Sequence, residues 1–264
     1  MKRLHNWNLS YSQAIELQKR LASEVQFAPI KEPPRLIAGL DCAMSKDGRR
    51  IIAAVVVLQT PAAEQNLWGS LEPADTNVIP AQAGIHFEVV ETADAIEKVN
   101  FPYIPGLLSF RESPACLAAV EKLKHEPDVF LIDGQGIAHP RRLGIASHLG
   151  LFFDKPTIGC AKSRLTGYFQ APPLKQGSYS LLLDRRLQTT DYRPARDEGR
   201  ETRDEIIGAV VRTRTNVEPV FVSVGNKCLL NDAIKITLDC TTKYRIPEPT
   251  RLAHQLVSKL KLKA

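Results

Sequence analysis

Three acidic residues lie at the edges of apolar segments and are candidates for binding a metal ion. Asp41 and Asp133 each follow a short apolar run, and Glu112 follows the Gly/Pro turn within the segment 103–112. A carboxylate at the end of a buried strand is costly unless a cation meets it. Each acid alone could instead cap a helix or satisfy a turn. Together they predict a Mg²⁺ site, because Mg²⁺ prefers carboxylate oxygens.

Two further residues near this acidic set could act on a phosphate. His139 lies six residues after Asp133, where a histidine can donate to a phosphate or a base, or pair with a carboxylate. Lys162, in the polar turn AKSRLTG, could support a scissile phosphate or orient the attacking water. Taken without the acids, both residues would be interpreted as solvated loop positions.

The composition favours an intracellular protein with a polyanionic partner. The 264 residues carry a formal net charge of +6, and five cysteines occur without a Cys-x-x-Cys pair. Reduced thiols of this kind are typical of the cytoplasm. We find neither an apolar run of transmembrane length nor a secretory leader. Surplus positive charge together with a predicted metal site indicates a nuclease.

The periodicity of apolar residues predicts a mixed α/β sheet in a single domain covering residues 1–264. The first strands follow one another directly, with a hairpin turn at KDG, and later strands alternate with helices. In the helix predicted at 113–123, Ser113 is the expected N-cap and Pro114 the first helical residue. The predicted strands are 36–45, 50–60, 87–91, 128–133, 156–160, 179–184, 207–214 and 219–225, and the other helices are 10–25, 231–241 and 249–263.

Residues 61–86 differ from the rest of the chain. Ala, Pro, Asn, Gln and Glu dominate this stretch, and no helical or strand period is sustained through it. It is too long for a compact hairpin connection. We therefore expect an inserted, disordered surface loop, to which its residues assign no function.

Several segments together resemble the endonuclease V family of deoxyinosine-directed repair nucleases. The combination of PYIPG with DGQGxxHPRxxGxAxHxG is highly specific, and the likeness covers nearly the whole chain apart from 61–86. The matching segments are GLDCA (39–43), FPYIPGLLSFRE (101–112), DVFLIDGQGIAHPRRLGIASHLG (128–150), KPTIGCAKSRLTG (155–167) and YRIPEPTRLAHQL (244–256).

This resemblance implies an RNase H-like fold and a Mg²⁺- or Mn²⁺-dependent cut in DNA containing deoxyinosine. The cut would fall at the second phosphodiester bond on the 3′ side of the lesion and leave 3′-OH and 5′-phosphate ends. Asp41, Glu112 and Asp133 match the family's metal-binding carboxylates. Lys162 matches its active-site lysine, and all four residues are the catalytic candidates.

The resemblance also implies a substrate-binding surface, with Tyr103 at the tip of a wedge that enters the duplex beside the lesion. Two prolines would stiffen that turn, and the tyrosine would stack against bases. Backbone amides of glycines would approach the edge of an extruded hypoxanthine. The residues expected on this surface are Pro102, Tyr103, Ile104, Pro105, Gly106, Leu107, Arg111, Gly134, Gly136 and His139.

One position departs from the family pattern. Many relatives have a histidine in the turn where this chain has Asn226, and an amide binds a metal less well than an imidazole does. This departure puts a fourth metal ligand in doubt and leaves Asp232 as a candidate outer-shell acid.

Other functions remain open from the sequence. Another RNase H-like nuclease, such as an excision-repair nuclease domain or a junction resolvase, would share the acids but lack PYIPG. An inosine-directed ribonuclease would share both, because inosine occurs in DNA and RNA. A nucleic-acid-binding protein without catalysis would not require the intact acidic set. In each case we expect a monomer that binds no membrane.

Overall fold

The computed structural model describes residues 1–60, 87–187 and 202–263, so the insertion expected at 61–86 lies outside the described residues. The strands are β1 (Leu36–Met44), β2 (Arg50–Gln59), β3 (Glu88–Lys98), β4 (Val129–Ile132), β5 (Thr157–Ala161), β6 (Tyr179–Leu187), β7 (Thr202–Val211) and β8 (Val220–Asn226). The helices are α1 (Tyr11–Ala22), α2 (Leu108–Val120), α3 (Ile145–Phe153), α4 (Leu230–Asp239) and α5 (Glu248–Lys263).

The eight strands form one mixed sheet in the order β3-β2-β1-β4-β5-β8-β7-β6. β1, β2 and β3 are antiparallel, and β4 and β5 then add in parallel on the other side of β1. Three antiparallel strands followed by two parallel ones in this order define an RNase H-like sheet. The predicted α/β fold of this type is confirmed.

Helices cover both faces of the sheet. On one face, Ala38 and Leu40 pack with Ala115 of α2 and Leu149 of α3. On the other, buried residues of β4, β5 and β8 pack with α4, while α5 packs on β1 and β2. Successive residues of a strand point to opposite faces of the sheet. Gly39 and Asp41 of β1 therefore point toward α5.

Gly39 allows α5 to lie directly on β1. A Cβ atom at this position would lie 2.0 Å from the backbone C and O of Pro249, in the first turn of α5. Asp41 follows two residues later on the same strand face. The close approach at Gly39 therefore brings α5 within reach of Asp41.

Several predicted boundaries differ from those in the structure. Helix α2 begins at Leu108 rather than Ser113, so Ser113 is not its N-cap and Pro114 lies inside the helix. Burial of Phe110 in the core stabilises the extra turn despite the amide that Pro114 lacks. Strand β3 continues to Lys98, beyond the predicted strand 87–91, because it pairs with β2 along its whole length. Its charged side chains suit a sheet edge.

Strand β7 also differs from its prediction, because it runs Thr202–Val211 rather than 207–214 and its first half pairs with β6. The expectations for the start of α1 and for the turn between β1 and β2 are confirmed. Ser10 caps α1 and forms a capping box with Gln13, and the KDG turn joins β1 to β2 with Gly48 at φ 72°. No disulfide bond links the five cysteines, all of which lie in described residues. Within the described ranges, none of the helices combines the length and the apolar character needed to cross a bilayer.

We expect Gly39→Ala to lower the free energy of unfolding by about 1–3 kcal/mol, because the added methyl group overpacks a backbone contact that cannot move without displacing α5. Urea denaturation followed by circular dichroism measures the effect. An unchanged unfolding midpoint would show that α5 does not depend on this close contact with β1.

Candidate active site

The pairing of β1 with β4 brings two carboxylates together. β4 ends at Ile132, whereas β1 continues past Leu40. The amide of Asp133 donates to the Leu40 carbonyl at 3.0 Å, which extends the hydrogen bonding between the two strands by one residue. Asp41 and Asp133 are therefore neighbours beyond the end of β4. Asp41 was predicted at the end of its strand, but it lies within β1. It is nevertheless beside Asp133, because β4 is shorter than β1 and ends at Ile132.

A histidine that the sequence prediction left out completes this group. His254 of α5 places Nδ1 2.7 Å from Oδ2 of Asp41. Among the described residues, Asp41, Asp133 and His254 form a group whose potential ligand atoms all lie within 4.8 Å of one another. His254 lies in the matching segment 244–256. Its contact with Asp41 could not be predicted, because the two residues are 213 positions apart in the sequence.

The electrostatics of this group favour a cation. Burial raises the pKa of Asp41, the negative charge of Asp133 raises it further, and His254 and Lys162 oppose both effects. Like charges held this close repel unless a positive charge lies between or beside them. Two carboxylates and an imidazole are also a chemically suitable donor set for a divalent metal ion.

Lys162 supplies one of the positive charges. Its ammonium group forms an ion pair with Oδ2 of Asp133, while 42% of its side chain remains exposed. The loop that carries it is fixed from outside, because Arg245 Nη2 donates to the Lys162 carbonyl at 2.7 Å. The predicted proximity of Lys162 to Asp133 is thus present in the structure.

Glu112 reaches the same region from the opposite face of the sheet. It lies on α2 and accepts a hydrogen bond from the thiol of Cys42, whose side chain points away from that of Asp41. Burial raises the pKa of Glu112 to about 7. Glu112 is not in the group whose ligand atoms lie within 4.8 Å of one another. Of the three predicted carboxylates, only those of Asp41 and Asp133 belong to that group.

A cavity of about 410 Å³ opens beside these residues. Asp133, Glu112 and Lys162 lie on its wall, so the acidic set and the cavity form one site. Its lining also includes five residues predicted to bind the substrate: Tyr103, Pro105, Gly106, Gly134 and His139. Its volume suits a group the size of a nucleobase or somewhat larger.

The turn at the mouth of the cavity projects an aromatic side chain. Tyr103 is 66% exposed, and Pro102 and Pro105 are also exposed, while Ile104 is half-buried. The guanidinium of Arg111 lies 5.8 Å from the centroid of the Tyr103 ring. Arg111 therefore supports the ring from below rather than facing solvent, since its own residue is buried.

Hydrogen bonds to Gly106 fix this turn to the rest of the protein. The Gly106 carbonyl accepts from Gln18 Nε2 at 3.0 Å and from Arg141 Nη2 at 2.8 Å, and Gln18 also donates to the Leu143 carbonyl. Gly106 adopts φ 79°, a conformation that favours glycine. Gln18 and Arg141 were absent from the predicted site, and only the packing of α1 reveals their role.

Two residues of the predicted substrate surface are structural in this conformation. Leu107 is fully buried in the core beneath the turn, so its side chain is not available to a substrate. The amide of Gly136 already donates to Ser223 Oγ at 2.9 Å, and a Cβ at Gly136 would lie 2.0 Å from the Val224 carbonyl. Both residues support the cavity from behind.

His139 is buried and is neutral near pH 7. It is 3% exposed, and burial, followed by the nearby charge of Arg141, lowers its pKa to about 4. Its Nδ1 accepts from the Arg141 amide at 3.1 Å. Arg142, which forms ion pairs with Asp184 and Glu205, donates to the His139 carbonyl and holds this loop in place.

The expected link between Asn226 and the metal site is wrong. Asn226 pairs with Thr157 at the start of β5, whereas the acids lie beyond the opposite end of the neighbouring strand β4. Its side chain accepts from the Gln26 amide and donates to the Gly150 carbonyl, which is a structural role. Asp232 accepts from backbone amides near the start of α4 and is not an outer-shell acid.

The order and directions of the strands place the protein in the RNase H-like class of folds. The Endonuclease V family model matches residues 72–255. Endonuclease V of Methanothrix thermoacetophila is 43% identical over 253 residues, covering 96% of this chain and 93% of that protein. The chain belongs to the endonuclease V family and is an endonuclease acting on phosphodiester bonds.

Solved structures agree with this assignment. The crystal structure of the Streptomyces avermitilis Endonuclease V superimposes with a TM-score of 0.76 and 35% identity, covering 98% of this chain and 96% of that one. Endonuclease V of Ciona intestinalis, in complex with a DNA containing an inosine followed by a ribo-adenosine, has a TM-score of 0.65 and 24% identity, covering 94% of this chain and 96% of that one. The second comparison supports the fold.

We expect His139 to make stability depend on pH. Its pKa is about 4 in the folded protein, below its ordinary value, so the unfolded chain binds a proton first as pH falls and stability decreases. Between about pH 7 and pH 5, wild type should lose about 2 kcal/mol more unfolding free energy than His139→Asn. Urea denaturation at both pH values provides the comparison, and equal losses in the two proteins would contradict a neutral buried His139.

Proposed function

We propose that the protein is a metal-dependent DNA repair endonuclease that recognises deoxyinosine. It hydrolyses the second phosphodiester bond 3′ to the lesion and leaves 3′-OH and 5′-phosphate ends. The observation that carries this proposal is the continuity of one site. An exposed tyrosine turn, a cavity of about 410 Å³ and an acidic pair with a lysine follow one another on connected surfaces.

The proposed metal site consists of Asp41 and Asp133, with His254 beside them and Glu112 as a further ligand. These residues fit Mg²⁺, with Mn²⁺ as an alternative that accepts an imidazole more readily. When bound, such an ion lowers the pKa of a water molecule and neutralises charge on the phosphate. His254, hydrogen-bonded to Asp41, would hold that carboxylate in a fixed orientation.

The protein's own residues account for lesion access. A base within a duplex must leave the stack before an enzyme can inspect it. Tyr103 would fill the gap that the base leaves, and its turn is stiffened by Pro102 and Pro105 and anchored through Gly106. The neutral imidazole of His139 suits a cavity that accepts an uncharged base. In Ciona intestinalis Endonuclease V, the bound DNA contains an inosine, which supports the same substrate class here.

Lys162 would act on the phosphate at the other end of the cavity. Its ion pair with Asp133 keeps the ammonium group beside the acidic pair, and its exposed fraction leaves it accessible to a substrate oxygen. A positive charge held there would offset the charge that develops on the phosphate in the transition state. The proposed enzyme acts in the cytoplasm as a monomer.

A cleavage assay tests the proposal. Matched oligonucleotides that contain a single inosine, or adenosine in its place, are prepared as DNA and as RNA and incubated with and without Mg²⁺. The proposal expects one Mg²⁺-dependent nick in the inosine DNA at the second phosphodiester bond, with no cut in the adenosine control. Stronger cleavage of inosine RNA would instead make the protein an inosine-directed ribonuclease, and equal cleavage of the adenosine strands would contradict lesion recognition.

Asp133→Asn and Asp41→Ala should each reduce the nicking rate by about a thousandfold or more, because loss of a metal-binding carboxylate removes several kcal/mol of transition-state stabilisation. Rates are measured at saturating enzyme and Mg²⁺. Asp128→Asn is the matched control, because Asp128 accepts from backbone amides at the opposite end of β4. Near wild-type nicking by either folded acid variant would overturn the metal assignment.

Tyr103→Ala should weaken binding and cleavage of inosine in duplex DNA by about 1–3 kcal/mol, the usual contribution of one base–aromatic stack. The loss should be smaller on single strands, where little unstacking is required, and Tyr103→Phe should retain most of the activity. Binding constants and single-turnover rates on both substrates decide the matter. Equal losses on duplex and single-stranded DNA would argue against a wedge.

A further inference from the structure

A second exposed aromatic side chain lies among cationic residues outside the cavity. Tyr244 is 43% exposed. The guanidinium carbon of Arg251 lies 4.4 Å from the centroid of its ring, and the ammonium nitrogen of Lys243 lies 5.3 Å from it. An aromatic ring with adjacent cations is the combination that binds single-stranded nucleic acid, because the ring stacks on any base and the cations attract phosphates.

Hydrogen bonds hold the segment that carries Tyr244 in one position. Glu248 Oε1 accepts from Thr242 Oγ1 at 2.6 Å, and Oε2 accepts from Arg251 Nε at 3.0 Å. Arg214 Nη1, in the loop between β7 and β8, donates to the Thr242 carbonyl at 3.2 Å. Glu248 thus links Thr242, which precedes Tyr244 by two residues, to Arg251, whose guanidinium lies over the ring. A surface fixed in this way loses little conformational entropy when it binds a ligand.

Two connections join this segment to the active site. Arg245, the next residue, donates to the carbonyls of Lys162 and Pro219 at 2.7 and 2.8 Å. Arg251 precedes His254 by three residues, so both lie on the same side of α5. Among described residues, the lining of the cavity includes none from 242–251. Tyr244 is therefore connected, through Arg245 and α5, to the elements that carry Lys162 and His254, without being part of the cavity.

We infer that Tyr244, with Lys243 and Arg251, is a second nucleic-acid-binding site that holds the strand beyond the cut. This inference rests on the proposed function, in which the lesion base fills the cavity and the scissile phosphate meets Asp41 and Asp133. The strand must then continue past the acids, and the cut lies 3′ to the lesion. Tyr244 stacks on a base beyond the first nucleotide 3′ to the scissile bond, while Lys243 contacts a phosphate beside that base and Arg251, paired with Glu248, lies over the ring.

The test uses two inosine-containing DNA single strands that differ in length only on the 3′ side. One continues well beyond the scissile bond, and the other ends one nucleotide after it. Tyr244→Ala should raise KM and the Kd of the long strand by about tenfold, as loss of one base–aromatic stack predicts. The same variant should leave kcat and the Kd of the short strand unchanged. Tyr244→Phe should behave as wild type on both.

Two controls complete the experiment. Tyr11→Ala removes a similarly exposed tyrosine from α1 and should change neither strand's Kd. Lys243→Ala should reduce the slope of log Kd against log salt by about 1 on the long strand, as expected for one lost phosphate contact. Thermal melting of each variant confirms that it is folded.

The outcomes separate this inference from the proposed function. If wild type nicks inosine DNA but Tyr244→Ala loses nothing, or loses equally on both strands, the inference is overturned and the proposed function stands. If wild type does not nick inosine DNA, the proposed function fails. The binding comparison still decides the inference in that case, because equal Kd changes for long and short strands would overturn it.

Discussion

The repulsion between two neighbouring carboxylates is the constraint on which the rest of the site depends. The register of β1 against β4 places Asp41 and Asp133 side by side at the sheet edge, and burial of Asp41 makes its charge still more costly. Lys162 and His254 compensate this charge from two different elements, a loop after β5 and helix α5. Lys162 and His254 offset only part of this negative charge, because the pKa of Asp41 remains raised. Asp41 and Asp133 therefore still attract a cation, as the proposed chemistry requires.

Several close backbone contacts keep these charges in place. The missing side chain at Gly39 lets α5 approach β1, which brings His254 to Asp41. Ion pairs of the buried Arg142 with Asp184 and Glu205 tie the loop of His139 to the β6–β7 hairpin. Arg142 is buried whereas Asp184 and Glu205 are partly exposed, so these ion pairs fix the position of the loop more than they add stability. These contacts together hold α5 and the loop of His139 in position.

The sequence was sufficient to predict the class of fold and the family. Apolar runs bounded by Asp41 and Asp133 predicted two strands that end near a metal site, and the PYIPG turn predicted an exposed Tyr103. These features are local, because each depends on a few consecutive residues and on backbone geometry. Helix α2 was the local failure, since burial of Phe110 extended the helix beyond the start that Ser113 and Pro114 indicated.

Only the tertiary structure decided which distant residues meet. His254 joins Asp41 across 213 positions, and Gln18 joins Gly106 across 88, so no motif of neighbouring residues could reveal either contact. The structure also assigned Asn226 to the opposite sheet edge and made His139 neutral through burial. Residue types determined what chemistry this protein could perform. Sheet register and helix packing decided which of those residues share a site, because such contacts arise from the burial of whole elements rather than from sequence spacing.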